Sequence, residues 1–414
     1  MKRQRLRFKL LALFLFGLIA LLAVYGGYSV LTNGSRWFAS THNTRLRDEK
    51  QRVTAGDILD RDGAVLAMTS GDGTRLYAED LFTRKAMVHV VGDTSGRVRN
   101  AVETFQSAYL YGFQASIWER IGDLLHNTDR KGDTVQLTVS ASLSKALADS
   151  FSQKLGEDPR GAAVVMNWKT GEVLALVSLP AFDPTVDNGT VPDGAYLNRA
   201  TEALYAPGTA FSPVTWAASL SQDHSASPAA RLRNTSEAFG LNENFLFRDL
   251  VVANAVYPTG NPSDSQLALL QQGSGGILVT PMHMCIITAS IANDGVMMEP
   301  RMLLKVTTST GKTRLDFSSR IEKICVDPSV SLSLQSRMRE AAASLPALQN
   351  ALYQTPVGAW TGAGENCAWF IGFLQNTNSP YAICVMTENG DENAAASIGA
   401  NSIAWLLEHP ISLP

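Results

Sequence analysis

The first pattern along the chain is an unbroken apolar run. From Leu10 to Leu31 no side chain is charged, and the run matches the roughly 20 residues a helix needs to cross a bilayer. Lys2, Arg3, Arg5, Arg7 and Lys9 precede it; Thr32, Asn33 and Gly34 follow. That asymmetry predicts a cytoplasmic N-terminus over 1–9, a membrane anchor over 10–31 and an extracytoplasmic remainder. A cleaved signal peptide is the alternative. Its apolar core is usually about 7–15 residues, shorter than this run, and Tyr25 and Tyr28 interrupt the exit. A retained single-pass anchor is therefore expected, followed by a polar stalk from 32 to about 50.

Beyond residue 50 the periods shorten. Gly56–Leu59, an Asp-Gly turn and Ala64–Ala67 make a hairpin signal. Asp60, Arg61 and Asp62 in it read as a solvated turn rather than a functional ion network. Residues 84–140 mix strand-like runs such as Val88–Val91 with Gly-rich turns, apart from a candidate helix at Ser116–Leu125. Leu143, Leu147, Phe151 and Leu155 recur every four residues, which predicts an amphipathic helix. Gly161–Trp168 and Glu172–Val177 flank Lys169-Thr170-Gly171 as two strands around a tight turn, and Pro180 ends the second. Thr280-Pro281 opens a buried helix to Asn293. Ala368–Phe373 and Tyr381–Met386 read as buried strands, with Trp369 and Phe370 packing on the sheet, and a last helix spans about Ala394–Leu407. The order predicts an α+β fold, an antiparallel sheet with helices packed on it.

Composition narrows the function classes. The 414 residues are 45% hydrophobic and 18% charged, ordinary for a globular protein of two or three domains. A net charge of -3, with no long basic run after the first nine positions, gives no sign of nucleic-acid binding. Cys285, Cys325, Cys367 and Cys384 form no CxxC pair, and the six histidines no HxxxH. These spacings speak for buried free thiols and against zinc; no cofactor is expected.

Candidate chemistry gathers at Pro207-Gly208-Thr209-Ala210-Phe211-Ser212-Pro213, which opens a helix. Penicillin-binding proteins and class A β-lactamases carry a Ser-x-x-Lys nucleophile at such a helix start. Positions i and i+3 share a helical face, so hydroxyl and amine meet, and a neutral lysine takes the serine's proton. Further segments, in order, resemble class B penicillin-binding proteins. They are Gly56–Ala67 (with Arg52 one residue too far upstream), Thr170–Pro184, Leu197-Asn198-Arg199-Ala200, Gln272–Pro281, Ala292–Arg301, and Thr361-Gly362 with Ala368–Phe373. Together they span residue 52 to the C-terminus. The resemblance implies a transpeptidase-like domain over 134–414, similar in fold to β-lactamases, preceded by a mixed, mainly β stalk or dimerisation-like domain over 32–133. It implies a role in peptidoglycan synthesis or cell division.

The same resemblance exposes departures. Thr209 stands at the nucleophile position, Ser212 at that of the lysine, and Trp360 where the family has the lysine of Lys-Thr-Gly, ahead of Thr361 and Gly362. Trp216–Gly240 is much shorter than the family's segment, and no Ser-x-Asn motif is found in it. Ser263-Asp264-Ser265 resembles one by letters but falls too late in the order. Backbone N–H groups at Thr209 and Ala363 would remain of the oxyanion hole. The leading reading is a noncatalytic pseudo-transpeptidase, a scaffold or regulator, whose implied partners are the membrane and a SEDS-family glycan polymerase. One alternative is a weak enzyme using Thr209 with a base such as His224. Another is a binder of peptidoglycan stem peptides or β-lactams, with Trp360 as an apolar platform.

Overall fold

The computed structural model describes residues 2–38, 53–114, 131–186, 191–223, 225–376 and 378–411, and in the first helix the side chains of residues 9–29 only. The expected helix at 116–125, His224 and most of the polar stalk lie outside the described residues.

Helix α1 (Lys2–Phe38) contains the apolar run, and its stretch Lys9–Ser29 is long and apolar enough to cross a membrane. Strands β1 (Ile58–Leu59) and β2 (Val65–Thr69) form the expected hairpin, and β3 (Arg75–Tyr77) pairs with β2. Helix α2 (Leu81–Val91) follows. It contains Val88–Val91, whose β-branched run reads as a strand. Asp80 accepts the N–H of Thr83 at one end, and Gly92 closes the other with φ 97°. Caps plus burial of Ala86–Val91 outweigh a weak local β preference.

Strand β4 (Thr134–Leu137) leads to α3 (Ala141–Leu155), capped by Ser140, with Leu143, Leu147 and Phe151 buried. Next come β5 (Gly161–Asn167), β6 (Val173–Leu179), α4 (Ser212–Ser219), α5 (Pro228–Ala238) and α6 (Asp264–Gln271). Helix α7 (Pro281–Ala292) is capped by Thr280 and buried at every position. The rest is β7 (Val296–Met298), β8 (Leu303–Thr307), β9 (Thr313–Asp316), β10 (Ile321–Ile324), α8 (Pro328–Ala343), β11 (Val357–Gly364), β12 (Cys367–Leu374), β13 (Tyr381–Glu388) and α9 (Glu392–Glu408).

Five antiparallel strands, in the order β11-β12-β13-β5-β6, make the central sheet. Strand pleat sorts their side chains between two cores. Val164, Met166, Trp369, Ile371 and Cys384 pack with α7 on one side. Ala163, Val165, Phe370, Ile383 and Val385 pack with α3 and α9 on the other. The fold class is α+β, helices on both faces of an antiparallel sheet. A second sheet runs β3-β2-β1-β4-β8-β9, so strands near residue 60 and near residue 305 share one ladder.

The hairpin turn at Asp60–Asp62 is solvated only in part: Asp62 is exposed, while Asp60 and Arg61 are held by the fold. Asp60 is 3% exposed, and its Oδ1 accepts the N–H groups of Asp62 (2.9 Å) and Ala64 (2.8 Å). Arg61 donates to the Thr138 carbonyl at 2.8 Å and lies 3.7 Å from Glu172, which binds Arg301 at 2.7 Å. The sequence shows polar residues in a turn; tertiary packing covers Asp60 and most of Arg61 and leaves Asp62 exposed.

Asp249 is a second buried carboxyl. Its Oδ2 accepts the N–H groups of Met302 (3.1 Å) and Leu303 (2.7 Å), while Oδ1 has no partner. Burial pushes its pKa up to about 7, and Glu299 adds to the rise. The folded state thus holds this proton more tightly than the unfolded chain does. The group's stabilising contribution is complete below about pH 4 and is lost as pH rises through 7. Asp249→Asn keeps an acceptor and removes the titration. Thermal unfolding should show the variant gaining on the wild type between about pH 5 and pH 8; a difference independent of pH would refute the assignment.

Candidate functional site

The turn that carries Thr209 is built on glycines. Gly208–Phe211 forms one 3-10 turn running into α4. Gly208 has φ 53°, and a Cβ there would lie 1.8 Å from the Ala363 carbonyl oxygen. A Cβ on Gly362 of β11 would lie 2.1 Å from the Ala210 nitrogen, and one on Gly273 would lie 2.0 Å from the Gly208 oxygen. Three backbones therefore stack at a separation no side chain allows. Gly208 N–H donates to the Gly273 carbonyl at 3.0 Å, completing the clasp.

This clasp brings Thr209, Ser212, Trp360, Gly362 and Ala363 together. The exposed Thr209 hydroxyl accepts the Ala363 N–H at 3.1 Å. The Thr209 carbonyl accepts from both the Ser212 hydroxyl (2.7 Å) and the Trp360 indole Nε1 (2.9 Å). So Ser212 and Trp360, the residues at the two lysine positions, turn to the same backbone oxygen rather than to the Thr209 hydroxyl. Trp360 also meets Trp216 edge to face, with centroids 4.7 Å apart and planes at 81°. The Arg337 guanidinium lies 5.5 Å over the Trp216 ring. Thr361, half-buried, pairs with Phe370 of β12. Ser263 is spent elsewhere: it caps α6 in a reciprocal box with Gln266.

A buried layer supports the approach to the turn. Tyr205 donates to Glu388 Oε1 at 2.6 Å, and Arg199 Nε donates to the same oxygen at 2.8 Å. Burial holds the Tyr205 phenol well above its ordinary range, with Glu388 adding to the rise, so it stays protonated. The Trp369 indole donates to the Ala206 carbonyl at 3.2 Å. Arg199 lies in a segment the sequence singles out; Glu388, which joins Arg199 to Tyr205, carries no sequence signal.

The arrangement limits the chemistry. Among the described residues, no carboxylate, imidazole or amine is hydrogen-bonded to the Thr209 hydroxyl, whose one partner is a donor. A hydroxyl without a proton acceptor is a poor nucleophile near neutral pH. Among the described residues no group of His, Cys, Asp and Glu could hold a metal ion.

The penicillin binding protein transpeptidase domain model matches residues 161–227 and 224–407, more than half the chain. The chain belongs to the penicillin-binding protein transpeptidase family. Its curated relatives include the peptidoglycan D,D-transpeptidase PbpA of Mycolicibacterium smegmatis. That protein is 24% identical over 447 residues, which cover 87% of this chain and 89% of the relative. PbpA of Mycobacterium tuberculosis is 24% identical over 381 residues, covering 72% and 76%. The solved imipenem acyl-enzyme complex of M. tuberculosis penicillin-binding protein A superposes with a TM-score of 0.76. It covers 86% of this chain and 100% of that one at 24% identity. At this identity the likeness is one of fold.

The glycine clasp is open to test. Gly362→Ala forces a methyl into the Ala210 backbone and should cost about 1–3 kcal/mol of stability in thermal or denaturant unfolding. Gly71→Ala, where the added methyl meets nothing within 4 Å, should stay within about 0.5 kcal/mol. Equal losses at the two positions would mean that β11 does not press on the turn.

Proposed function

We propose that this chain is a membrane-anchored, noncatalytic member of the penicillin-binding family that serves cell-wall synthesis or division as a scaffold or regulator. The observation that carries the reading is the fate of the two lysine positions. Ser212 and Trp360 are both bonded to the Thr209 carbonyl, and among the described residues the Thr209 hydroxyl bonds only the Ala363 N–H. That N–H is one of two oxyanion donors the resemblance implies, and here a side chain of the same protein occupies it. The M. tuberculosis relative is described as an acyl-enzyme with imipenem; the path to such an adduct needs a proton acceptor beside the hydroxyl. Losing nucleophile and base together typically costs about 10⁶-fold in rate.

The basic residues before Leu10 support a cytoplasmic N-terminus with the folded body outside. A SEDS-family glycan polymerase is the proposed partner, reached through the anchor and the segments that follow it. The named peptidoglycan transpeptidases among the relatives support the wall-synthesis setting. Trp360 acts as a plug: its indole N–H is spent on Thr209 and its edge on Trp216, which favours filling over serving as an open platform for muropeptides.

Two measurements test this. Intact protein incubated with a fluorescent penicillin should carry no covalent label; a label that disappears in Thr209→Ala would overturn the noncatalytic reading. Affinity purification from membranes should recover a SEDS polymerase equally with the wild type and with Thr209→Ala. Recovery at the level of an anchor-only control would count against the scaffold role.

A further inference from the structure

The family match divides into two pieces that meet at residues 224–227, between α4 and α5. A cleft of about 390 Å³ opens beside this junction. It lies between the end of α4, the side of α5 and the corner where β10 turns into α8. Ala217, Val326 and Val330 give it an apolar lining, and Ile324 stands at its lip 70% exposed. Asp223 and Asp327 bring two carboxylates to it, and no lysine or arginine lines it.

Asp327 is the informative one. It occupies the N-cap of α8, yet its side chain makes no cap hydrogen bond. A helix-capping aspartate ordinarily satisfies the first free N–H groups of its helix. This exposed carboxylate forms no ion pair among the described residues either. Two basic side chains of the neighbouring elements are engaged elsewhere. Arg231 of α5 donates to the Ala226 carbonyl at 3.2 Å, and Lys323 of β10 pairs with Glu243. Asp223 uses Oδ1 on Ser225 and Ala226.

We propose that this cleft docks an extended segment of a partner protein that presents a lysine or arginine beside an apolar side chain. The charge complementarity selects the cation, and the apolar lining suits the aliphatic stem behind it, since such side chains bury their methylenes while keeping the charge at a polar rim. Ile324 supplies the contact for the apolar neighbour. The inference does not depend on the noncatalytic reading: it concerns side chains other than Thr209, Ser212 and Trp360.

The test uses detergent-solubilised full-length protein and a fluorescein-labelled Val-Lys-Val-Lys-Val-Lys peptide, with the Val-Glu counterpart as control, read by fluorescence polarisation. The lysine peptide should bind saturably below about 1 mM, and about 0.5 M salt should weaken it. Asp223→Asn with Asp327→Asn should reduce its affinity about tenfold or more. Val330→Trp, which fills the cleft, should do the same, and Lys154→Ala, on α3 and outside the cleft lining, should leave binding unchanged. The paired Asn exchanges are at exposed positions and keep the test informative should Val330→Trp misfold. Equal binding of the glutamate peptide, indifference to the paired Asn exchanges, or no saturable binding would each overturn the proposal. The penicillin-labelling result is unaffected by any of these outcomes, so the two readings fail separately.

Discussion

The structure depends on how closely strand β11 approaches the turn at Gly208–Phe211. Two backbones meet there at positions where a single methyl would overlap a main-chain atom by more than an ångström of ordinary contact distance. That approach puts the Ala363 N–H within reach of the Thr209 hydroxyl, and the Trp360 indole within reach of the Thr209 carbonyl. The groups around the turn thus hold it shut. The Ser212 and Trp360 side chains both satisfy one peptide oxygen, that of Thr209.

Much of this was legible in the chain. The Leu143–Leu155 period, the Lys169–Gly171 turn, the Thr280-Pro281 cap and the apolar runs after 368 and 381 are local signals, and each appears as the expected element. Thr209, Ser212 and Trp360 are singled out by the order of the surrounding motifs, and the fold brings the three together. Their convergence on one carbonyl could not be read, because a hydrogen bond between positions 360 and 209 leaves no periodic trace.

The misreadings share a cause. Val88–Val91 favours a strand by side-chain shape, but its caps lie outside the run, at Asp80 and Gly92. Asp60 and Arg61 are polar residues in a turn, a pattern that usually meets water; here Thr138, Glu172 and Arg301 cover them from distant parts of the chain. Glu388 gave no signal because its partners, Arg199 and Tyr205, lie far upstream. Local chemistry announces elements; burial of charge is decided by topology.

The six-stranded sheet carries a consequence for how mechanical load passes through the molecule. Four of its strands, β1 to β4, come from the region following α1, while β8 and β9 come from beyond the Thr209 turn. The Arg61–Glu172–Arg301 cluster ties that sheet to the start of β6 in the central one. Torque entering through the β1–β2 hairpin therefore meets shared strand pairing and a buried ionic rivet. Whatever grips the β1–β2 hairpin also bears on the central sheet through this cluster.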